Sequence, residues 1–301
     1  MYILGIHDGH NCGASLIFNG KVLYSICEER LSRKKNEVGY PLESINKVLF
    51  LSKIDSSELS SIVYASNFMH SEEHLQNVVP WYKVGESDQE KDFGEPSEYK
   101  SIIFNERKKE RVQKVCDHLN VPKGIVYFVE HHLAHLAAAY YTRPEDVFDE
   151  KVLGLTCDGA GDGISATVSI CEHKSIDRIA SSSRHVSLGK LYSRTTMLMG
   201  MKPWEHEYKL MGMAPYADLE RTEDATNIFR KLLTVDENRM EFKNLTNLSM
   251  NYTYEYLRDS FEGVRFDVIS ASIQKFTEEM LLAWVKSAIK KTGINKIVCG
   301  G

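Results

Sequence analysis

The sequence predicts an α/β protein built from two similar halves, and three observations lead to this fold class. The chain opens with YILGIHDG, CGASLIFNG and KVLYSICEE, three short apolar runs that predict a β-meander. The same order returns in EKVLGLTCDGAGDG, ISATVSICEHK and IDRIASSSRHV. Segments with helical periodicity follow each group of strands. We therefore predict a duplication, with a first lobe over residues 1–150 and a second lobe over residues 151–301.

The first lobe carries a local signal for each of its elements. Asn19-Gly20 separates the second and third apolar runs, and this dipeptide is a strong hairpin signal. PLESINKVLFLSKI repeats apolar residues at helical spacing, and SIVYAS is typical of a strand. Residues 67–96 are polar and mixed, which predicts an excursion from the fold. SEYKSIIFNERKKERVQKVCDHLN then predicts a charged amphipathic helix, GIVYFVE a strand, and HHLAHLAAAYYTR a further helix.

The second lobe contains the clearest helix of the chain. Residues 219–265 predict an insertion of helical and irregular structure, and DVISASIQKFTEEMLLAWVKSAIKKTG follows it. The apolar stripe of this helix consists of Ile269, Ile273, Phe276, Met280, Trp284 and Ala288. Gly293 suits the left-handed position that ends a helix. KIVCGG predicts a strand and a turn, and we expect the second lobe to be incomplete and the chain to be part of a longer protein.

Composition and charge exclude several classes of protein. The net charge is -5 and the pI is about 6.1, which does not favour a nucleic-acid surface. Six cysteines are scattered without a C-x-x-C pair, which favours free thiols in a reducing compartment. The N-terminus lacks the pattern of a secretory signal, and no apolar run is long enough to span a membrane. We expect a cytoplasmic protein, and its oligomeric state stays open.

Two glycine-rich turns follow predicted strands at matching places in the two halves. They are HDGHNCG at 7–13 and DGAGDG at 158–163. Glycine lets the backbone approach a ligand closely, and successive amides can cradle a phosphate. An Asp-Gly hairpin taken alone is more often only a turn, but paired hairpins are how actin-like and sugar-kinase-like folds grip a nucleotide. The candidate nucleotide- and phosphate-binding residues in and near such turns are Gly9, Asn11, Gly159, Gly161, Asp162, Gly300 and Gly301.

Three histidines crowd into EHHLAHLAAAYY at 130–141. On a helix, His131 and His135 share one face, and this spacing lets two imidazoles ligate one transition metal. A metal site also needs a carboxylate, for which Asp158 in the second glycine turn is the candidate. Two imidazoles and a carboxylate accept iron, zinc or manganese. The alternative is that these histidines cap the helix or donate hydrogen bonds to carbonyl groups.

Two polar segments leave alternatives open. CEERLSRKK follows the third strand as a run of charges, which predicts either a solvated edge or a phosphate contact through Arg33 and Lys35. In WEHEYKLMGMAPYA, Lys209 is a candidate phosphate ligand and Gly212 permits close approach to a nucleotide. We expect the apolar residues of that segment to pack in the core; they are Met211, Met213 and Tyr216.

Seven of these segments together resemble one family. HDGHNCGASL, CEERLSRKK, HHLAHLAAAYY, CDGAGDG, SLGKLYS, EYKLMGMAPYA and ASIQKFTEEM…VCGG occur in the order of the O-carbamoyltransferases of nodulation-factor and antibiotic biosynthesis. More narrowly, they resemble the N-terminal domain of that family, which is similar to the universal tRNA threonylcarbamoyl-transfer protein. The resemblance covers nearly the whole chain.

The resemblance implies a fold and a reaction. The fold is a duplicated actin- and sugar-kinase-like (ribonuclease-H-like) α/β architecture of two lobes, with mixed five-stranded sheets flanked by helices. A downstream domain similar to carbamoyl-adenylate synthases is expected to make carbamoyl-adenylate from carbamoyl phosphate and ATP. The present domain is then expected to transfer the carbamoyl group to a hydroxyl of a sugar or natural product and to release AMP. The small-molecule acceptor is not identified by the sequence.

The resemblance also implies roles for individual residues. His131 and His135 match the metal-binding histidines of the family, and Asp158 matches an aspartate of the metal or phosphate turn. His10 matches a histidine near the adenylate, and Lys35 matches the basic residue after the third strand. A further metal-ligating aspartate of the family falls beyond Gly301, so activity of this chain alone is in doubt.

These roles suit the chemistry of carbamoyl transfer. A bound cation stabilises negative charge that develops on the carbonyl oxygen, and an imidazole is a suitable base for the acceptor hydroxyl, which makes His10 the candidate. The cofactors expected are a divalent iron or zinc ion and ATP or carbamoyl-adenylate, with Mg²⁺ as a further candidate. The alternatives are a sugar kinase or tRNA threonylcarbamoyl transferase of the same fold, or a non-catalytic ATP-binding module that holds Mg²⁺ through carboxylates.

Overall fold

The computed structural model describes residues 1–77, 97–143 and 150–301, and residues 78–96 of the predicted excursion lie outside them. The described chain divides into two units, residues 1–77 with 97–134 and residues 135–143 with 150–301. Sequence analysis placed the division between residues 150 and 151. It falls earlier here because Leu136 and Tyr140 pack with Val152 and Cys171, which belong to the strands of the second unit.

The first unit is built on a five-stranded mixed sheet with the order β3-β2-β1-β4-β5. Strands β1, β2 and β3 form the predicted antiparallel meander, while β1, β4 and β5 run parallel. The carboxyl ends of these three parallel strands therefore meet at one edge of the sheet. The strands are β1 (Tyr2–His7), β2 (Gly13–Phe18), β3 (Lys21–Cys27), β4 (Leu59–Tyr64) and β5 (Val126–Phe128).

The predicted hairpin between β2 and β3 is confirmed. Asn19 and Gly20 both have positive φ, 47° and 83°. This is the backbone of a type I′ turn, which suits the twist of two adjacent strands. The hairpin fixes the register in which Phe18 lies opposite Lys21.

Helices cover the first sheet and close its core. The core brings together buried side chains of β1, β2 and β4 with those of the second and fourth helices, and Ile6, Val48, Ile62 and Val115 are fully or almost fully buried. The charged amphipathic helix predicted after residue 96 is present. The helices of this part of the chain are α1 (Glu29–Ser32), α2 (Leu42–Ser52), α3 (Glu72–Gln76), α4 (Ser97–Leu119) and α5 (His131–Tyr141).

The second unit repeats the meander and its parallel neighbour. Its main sheet has the order β11-β6-β7-β8, in which β6, β7 and β8 are antiparallel and β11 runs parallel to β6. The α/β class and the predicted duplication of the strand order are confirmed, and the second sheet has four strands among the described residues. The strands are β6 (Val152–Gly161), β7 (Ile164–Glu172), β8 (Ser175–Ser183) and β11 (Ile297–Gly300).

The segment predicted as an insertion, residues 219–265, contributes to the core of the second unit. It contains a two-stranded sheet that the sequence did not indicate, β9 (Leu233–Asp236) with β10 (Glu241–Asn244). Phe229, Leu233 and Phe261 are almost fully buried in the main apolar cluster. The helices of the second unit are α6 (Leu188–Leu198), α7 (Glu207–Met213), α8 (Leu219–Arg230), α9 (Tyr254–Ser260) and α10 (Phe266–Thr292).

The longest helix of the second unit agrees with its predicted pattern. All six residues of the predicted apolar stripe of α10 are buried. Gly293 has a φ of 73° at the C-terminal end, and its amide donates to the carbonyl of Ile289. Among the described helices, none is long and apolar enough to cross a membrane.

The charge run after β3 is only partly a solvated edge. Glu28 is buried, and its two carboxylate oxygens accept hydrogen bonds from the backbone amides of Glu43 and Ser44 at 2.8 and 2.7 Å. These amides open helix α2, whose N-cap residue Pro41 supplies no side-chain acceptor. Glu28 therefore caps α2 from a distant point in the sequence.

Replacing Glu28 with alanine is expected to lower the local stability of α2 by about 1–3 kcal/mol, because two amides lose their acceptor. The measurement is hydrogen–deuterium exchange of a peptide covering residues 42–52, together with urea unfolding. The matched control is Glu43→Ala on the same helix, since the Glu43 side chain is exposed. Unchanged exchange in Glu28→Ala would show that the carboxylate does not stabilise the helix.

Candidate functional site

Helix α5 carries the predicted histidine pair and begins directly after β5. Glu130 caps it, because its carboxylate accepts hydrogen bonds from the amides of His132 and Leu133 at 3.1 and 2.9 Å. His131 and His135 follow one turn apart and are half-buried, whereas His132 is fully buried. His132 is therefore part of the protein interior.

A carboxylate lies beside the pair, as predicted. His135 Nε2 is 3.7 Å from Asp158 Oδ2. One potential ligand atom from each of His131, His135 and Asp158 lies within 4.8 Å of the others. Ligand atoms bound to one zinc ion sit about 2 Å from it, so small side-chain adjustments bring these three donors to a common ion. Two imidazoles and one carboxylate suit iron, zinc or manganese better than Mg²⁺ or Ca²⁺.

Glycine backbones make this juxtaposition possible. A Cβ at Gly300 would lie 2.8 Å from the carbonyl oxygen of His135, and a Cβ at Gly301 would lie 2.4 Å from the carbonyl oxygen of Cys157. The predicted Gly300-Gly301 pair thus packs against the two segments that present His135 and Asp158. A nucleotide contact of this pair stays a prediction.

Another segment of the second unit supports Asp158 and Gly159. Ser187 Oγ donates to the carbonyl oxygens of both residues and also accepts from the amide of Lys190 as the N-cap of α6. A Cβ at Gly189 would lie 3.0 Å from the Gly159 backbone. These residues belong to SLGKLYS, a motif that entered sequence analysis only through the family resemblance.

Lys190 is a candidate functional residue that sequence analysis missed. Burial, together with the positive charges of Arg194 and Arg184, lowers its pKa to about 8, and the negative charge of Asp158 opposes this shift. Its ammonium group also lies over the Trp204 ring, 4.9 Å from the centroid. With a pKa near 8, Lys190 is mostly protonated at neutral pH, so it is a cation close to the second glycine turn.

The tip of the second glycine turn is a tight hairpin. Asp162 and Gly163 have φ values of 49° and 84°, the backbone of a type I′ turn between β6 and β7. Gly161 pairs with Ile164 at the end of the ladder, and a Cβ at Gly159 would meet nothing within 4 Å. Gly159 therefore has open space beside it, whereas Asp162 and Gly161 close the hairpin.

The first glycine turn places two histidines together. His10 is exposed and Gly9 is buried. His7 Nε2 donates to the His10 carbonyl at 3.0 Å, and Asn11 Nδ2 lies 3.5 Å from His10 Nδ1. Asn11 has a φ of 55°, the left-handed conformation that asparagine tolerates.

His7 is a further residue that the sequence did not single out. Burial lowers the pKa of His7 to about 4, the hydrogen bond to His10 opposes this, and the charges of His10 and His131 lower it again. His7 is therefore neutral at pH 7 and keeps its Nε2 proton, since a carbonyl only accepts. Its ring centroid lies 6.3 Å from that of His10.

Among the remaining candidates, Lys35 and Gly212 are exposed, whereas Lys209 is half-buried. Lys35 is exposed in the loop after α1. Lys209 Nζ lies 6.0 Å from the centroid of the Tyr208 ring, and a Cβ at Gly212 would meet nothing within 4 Å. The expectation that Met211 and Tyr216 pack in the core is wrong, because 53% and 82% of their surfaces are exposed.

Comparison with curated proteins gives relatives of greater length. An uncharacterized protein of Methanocaldococcus jannaschii, MJ1051, is 27% identical over 270 residues, which is 82% of this chain and 44% of the relative. The nodulation protein NolNO of Sinorhizobium fredii is 25% identical over 300 residues, 98% of this chain and 40% of the relative. The chain spans half or less of the length of these relatives.

Comparison with solved structures gives weaker likenesses. Full-length HypF in a phosphate- and nucleotide-bound form has a TM-score of 0.42 at 15% identity, over 99% of this chain and 48% of that one. Component A of the (R)-2-hydroxyglutaryl-CoA dehydratase of Acidaminococcus fermentans has a TM-score of 0.40 at 9% identity, over 100% and 92% of the two chains.

The family described as "Carbamoyltransferase N-terminus" matches residues 2–301. This match covers both glycine turns, the histidine helix and the final strand, which are the segments that carried the resemblance in the sequence. The chain therefore belongs to the carbamoyltransferase family, as an N-terminal domain of that family.

Proposed function

We propose that this chain transfers a carbamoyl group from carbamoyl-adenylate to a hydroxyl of a sugar or natural-product acceptor, with AMP as the leaving group. The observation that carries the proposal is the grouping of His131, His135 and Asp158, whose ligand atoms lie within 4.8 Å of one another. Family membership supports carbamoyl transfer in general. The metal is our inference from the chemistry of the site, whereas the adenylate and the acceptor class follow from the resemblance seen in the sequence.

His131, His135 and Asp158 would hold the metal ion. A divalent ion bound there supplies Lewis acidity, which stabilises negative charge on the carbonyl oxygen of the carbamoyl group. Two imidazoles and one carboxylate would supply three ligands to such an ion.

His10 is the proposed general base. It is exposed, and its backbone carbonyl accepts from His7, which is neutral at pH 7 because burial lowers its pKa to about 4. The His10 imidazole would take the proton of the acceptor hydroxyl as the hydroxyl oxygen attacks the carbamoyl carbon. The bond between that carbon and the phosphate oxygen then breaks, which gives the carbamate ester and AMP.

The second glycine turn is the proposed site for the phosphate of the adenylate. Gly159 has room beside its Cα for close approach of a ligand. Lys190 adds positive charge near Asp158, whose negative charge in turn raises the pKa of Lys190. A phosphate contact from Lys35, Lys209 or the turn at Gly9 is part of the same proposal.

The double variant His131→Ala/His135→Ala is expected to lose bound metal and carbamoyl transfer together, because the remaining carboxylate is a poor site for a transition ion. The measurements are elemental analysis of the purified protein and AMP release from supplied carbamoyl-adenylate. The matched control is His70→Ala/His74→Ala, a second pair four residues apart whose rings stack at 4.3 Å on a different segment. Equal metal content in the first variant and the unmodified protein would refute the proposed site.

Gly300→Ala is expected to weaken metal binding about tenfold, a loss of roughly 1.4 kcal/mol. The added methyl group would lie 2.8 Å from the His135 carbonyl and would push helix α5 from β11. The measurement is a calorimetric titration with Zn²⁺. Gly212→Ala serves as the control, since open space surrounds that position. An affinity within twofold of the unmodified protein would show that the close approach does not set the site.

A further inference from the structure

Arg111 makes a buried ion pair across the first unit. Its Nε and Nη2 donate to the two carboxylate oxygens of Asp8 at 2.7 and 2.8 Å, so the contact is bidentate. Only 4% of Arg111 and 7% of Asp8 is exposed. Asp8 directly follows β1, whereas Arg111 lies on α4, more than a hundred residues later.

The same guanidinium group also contacts the ends of two other strands. Its Nη1 donates to the carbonyl oxygens of Ser66 and Asn67 at 3.0 and 3.3 Å, just after β4. Its carbon lies over the Tyr64 and Phe128 rings, 4.5 and 4.9 Å from their centroids. Phe128 ends β5. Because β1, β4 and β5 run parallel, Arg111 joins the carboxyl ends of all three.

Two proposed functional residues follow the strands that end at this edge of the sheet. His10 comes two residues after Asp8, and His131 comes three residues after Phe128. We propose that Arg111 is a positioning residue, which fixes the turn that carries His10 and the start of the helix that carries His131. The roles of these two histidines rest on the proposed function, whereas the coupling of the two segments through Arg111 does not.

The chemistry of the contact favours positioning over stability alone. A buried ion pair is often replaceable by apolar residues of similar size without loss of stability, whereas a bidentate pair with fixed hydrogen bonds specifies one geometry. All three guanidinium nitrogens of Arg111 donate to residues that follow two strands, and the planar face of the group lies over two rings. Lysine carries the same charge but lacks the fork and the plane.

Three variants of the full protein test the proposal. Arg111→Lys keeps the charge, and Asp8→Asn/Arg111→Met removes both charges together, so that no buried charge is left without its counter-charge. Arg107→Lys is the matched control, because Arg107 lies on the same helix and donates to the carbonyl oxygens of Met69 and His70 at 3.2 and 3.1 Å. The readouts are the thermal midpoint, calorimetric Zn²⁺ affinity, and hydrogen–deuterium exchange of residues 8–13 and 129–134.

If Arg111 positions the two segments, the variants should change the Zn²⁺ affinity more than the thermal midpoint. We expect Asp8→Asn/Arg111→Met to fold with a thermal midpoint near that of the unmodified protein but to bind Zn²⁺ about 10–100-fold more weakly, as when a supporting partner of a metal ligand is removed. In Arg111→Lys both segments are expected to exchange faster together, and in Arg107→Lys neither should change. Should the double variant fail to fold, Arg111→Lys carries the same comparison.

The outcomes separate this proposal from the proposed function. If the unmodified protein binds no Zn²⁺, the proposed metal site is wrong. In that case the role of Arg111 is tested by hydrogen–deuterium exchange only. Faster exchange of both segments in Arg111→Lys, with no change in Arg107→Lys, supports the positioning role in that case as well. Wild-type exchange in both segments of Arg111→Lys, or wild-type Zn²⁺ affinity in a folded double variant, would overturn it.

Discussion

The candidate metal site depends on how closely helix α5 lies against the second sheet. Leu136 fits over Gly154, where a Cβ would lie 2.5 Å from a Leu136 methyl carbon, and the His135 carbonyl fits against Gly300. Glycine inside a strand costs conformational entropy and offers no side chain to the core, so two such positions facing one helix indicate a requirement for close approach. Without that approach, the carboxylate of Asp158 and the imidazole of His135 would not lie 3.7 Å apart.

The carboxylate side of the site is held as firmly as the histidine side. Ser187 binds the Asp158 and Gly159 carbonyls and caps helix α6 at the same time, so the orientation of the turn and the start of that helix are set by one hydroxyl. Gly189 lets this helix contact the Gly159 backbone. In the first unit the strand ends are joined by a long side chain and not by close backbone contact. Arg111 donates hydrogen bonds to residues that follow two different strands.

Local patterns predicted the local parts of this structure. The Asn19-Gly20 hairpin, the apolar stripe of α10 and the histidines on one turn of α5 each need only a few neighbouring residues. The Asp8 pairing with Arg111 and the capping of α2 by Glu28 join distant segments, so no periodicity could indicate them. The core assignment of Met211 failed for a related reason: in the short helix α7, Leu210 is the buried residue, and residue type alone does not say which neighbour faces the interior.

The net charge of the chain does not describe the charges beside the second glycine turn. The net charge of -5 would repel an adenylate if it were spread evenly over the chain. Near the second glycine turn, however, Lys190 is affected by the positive charges of Arg194 and Arg184 and by the negative charge of Asp158, although burial is the main cause of its lowered pKa. The phosphate proposed at Gly159 would therefore lie near the charges of Lys190 and Asp158, and these local charges bear on it more than the overall charge does.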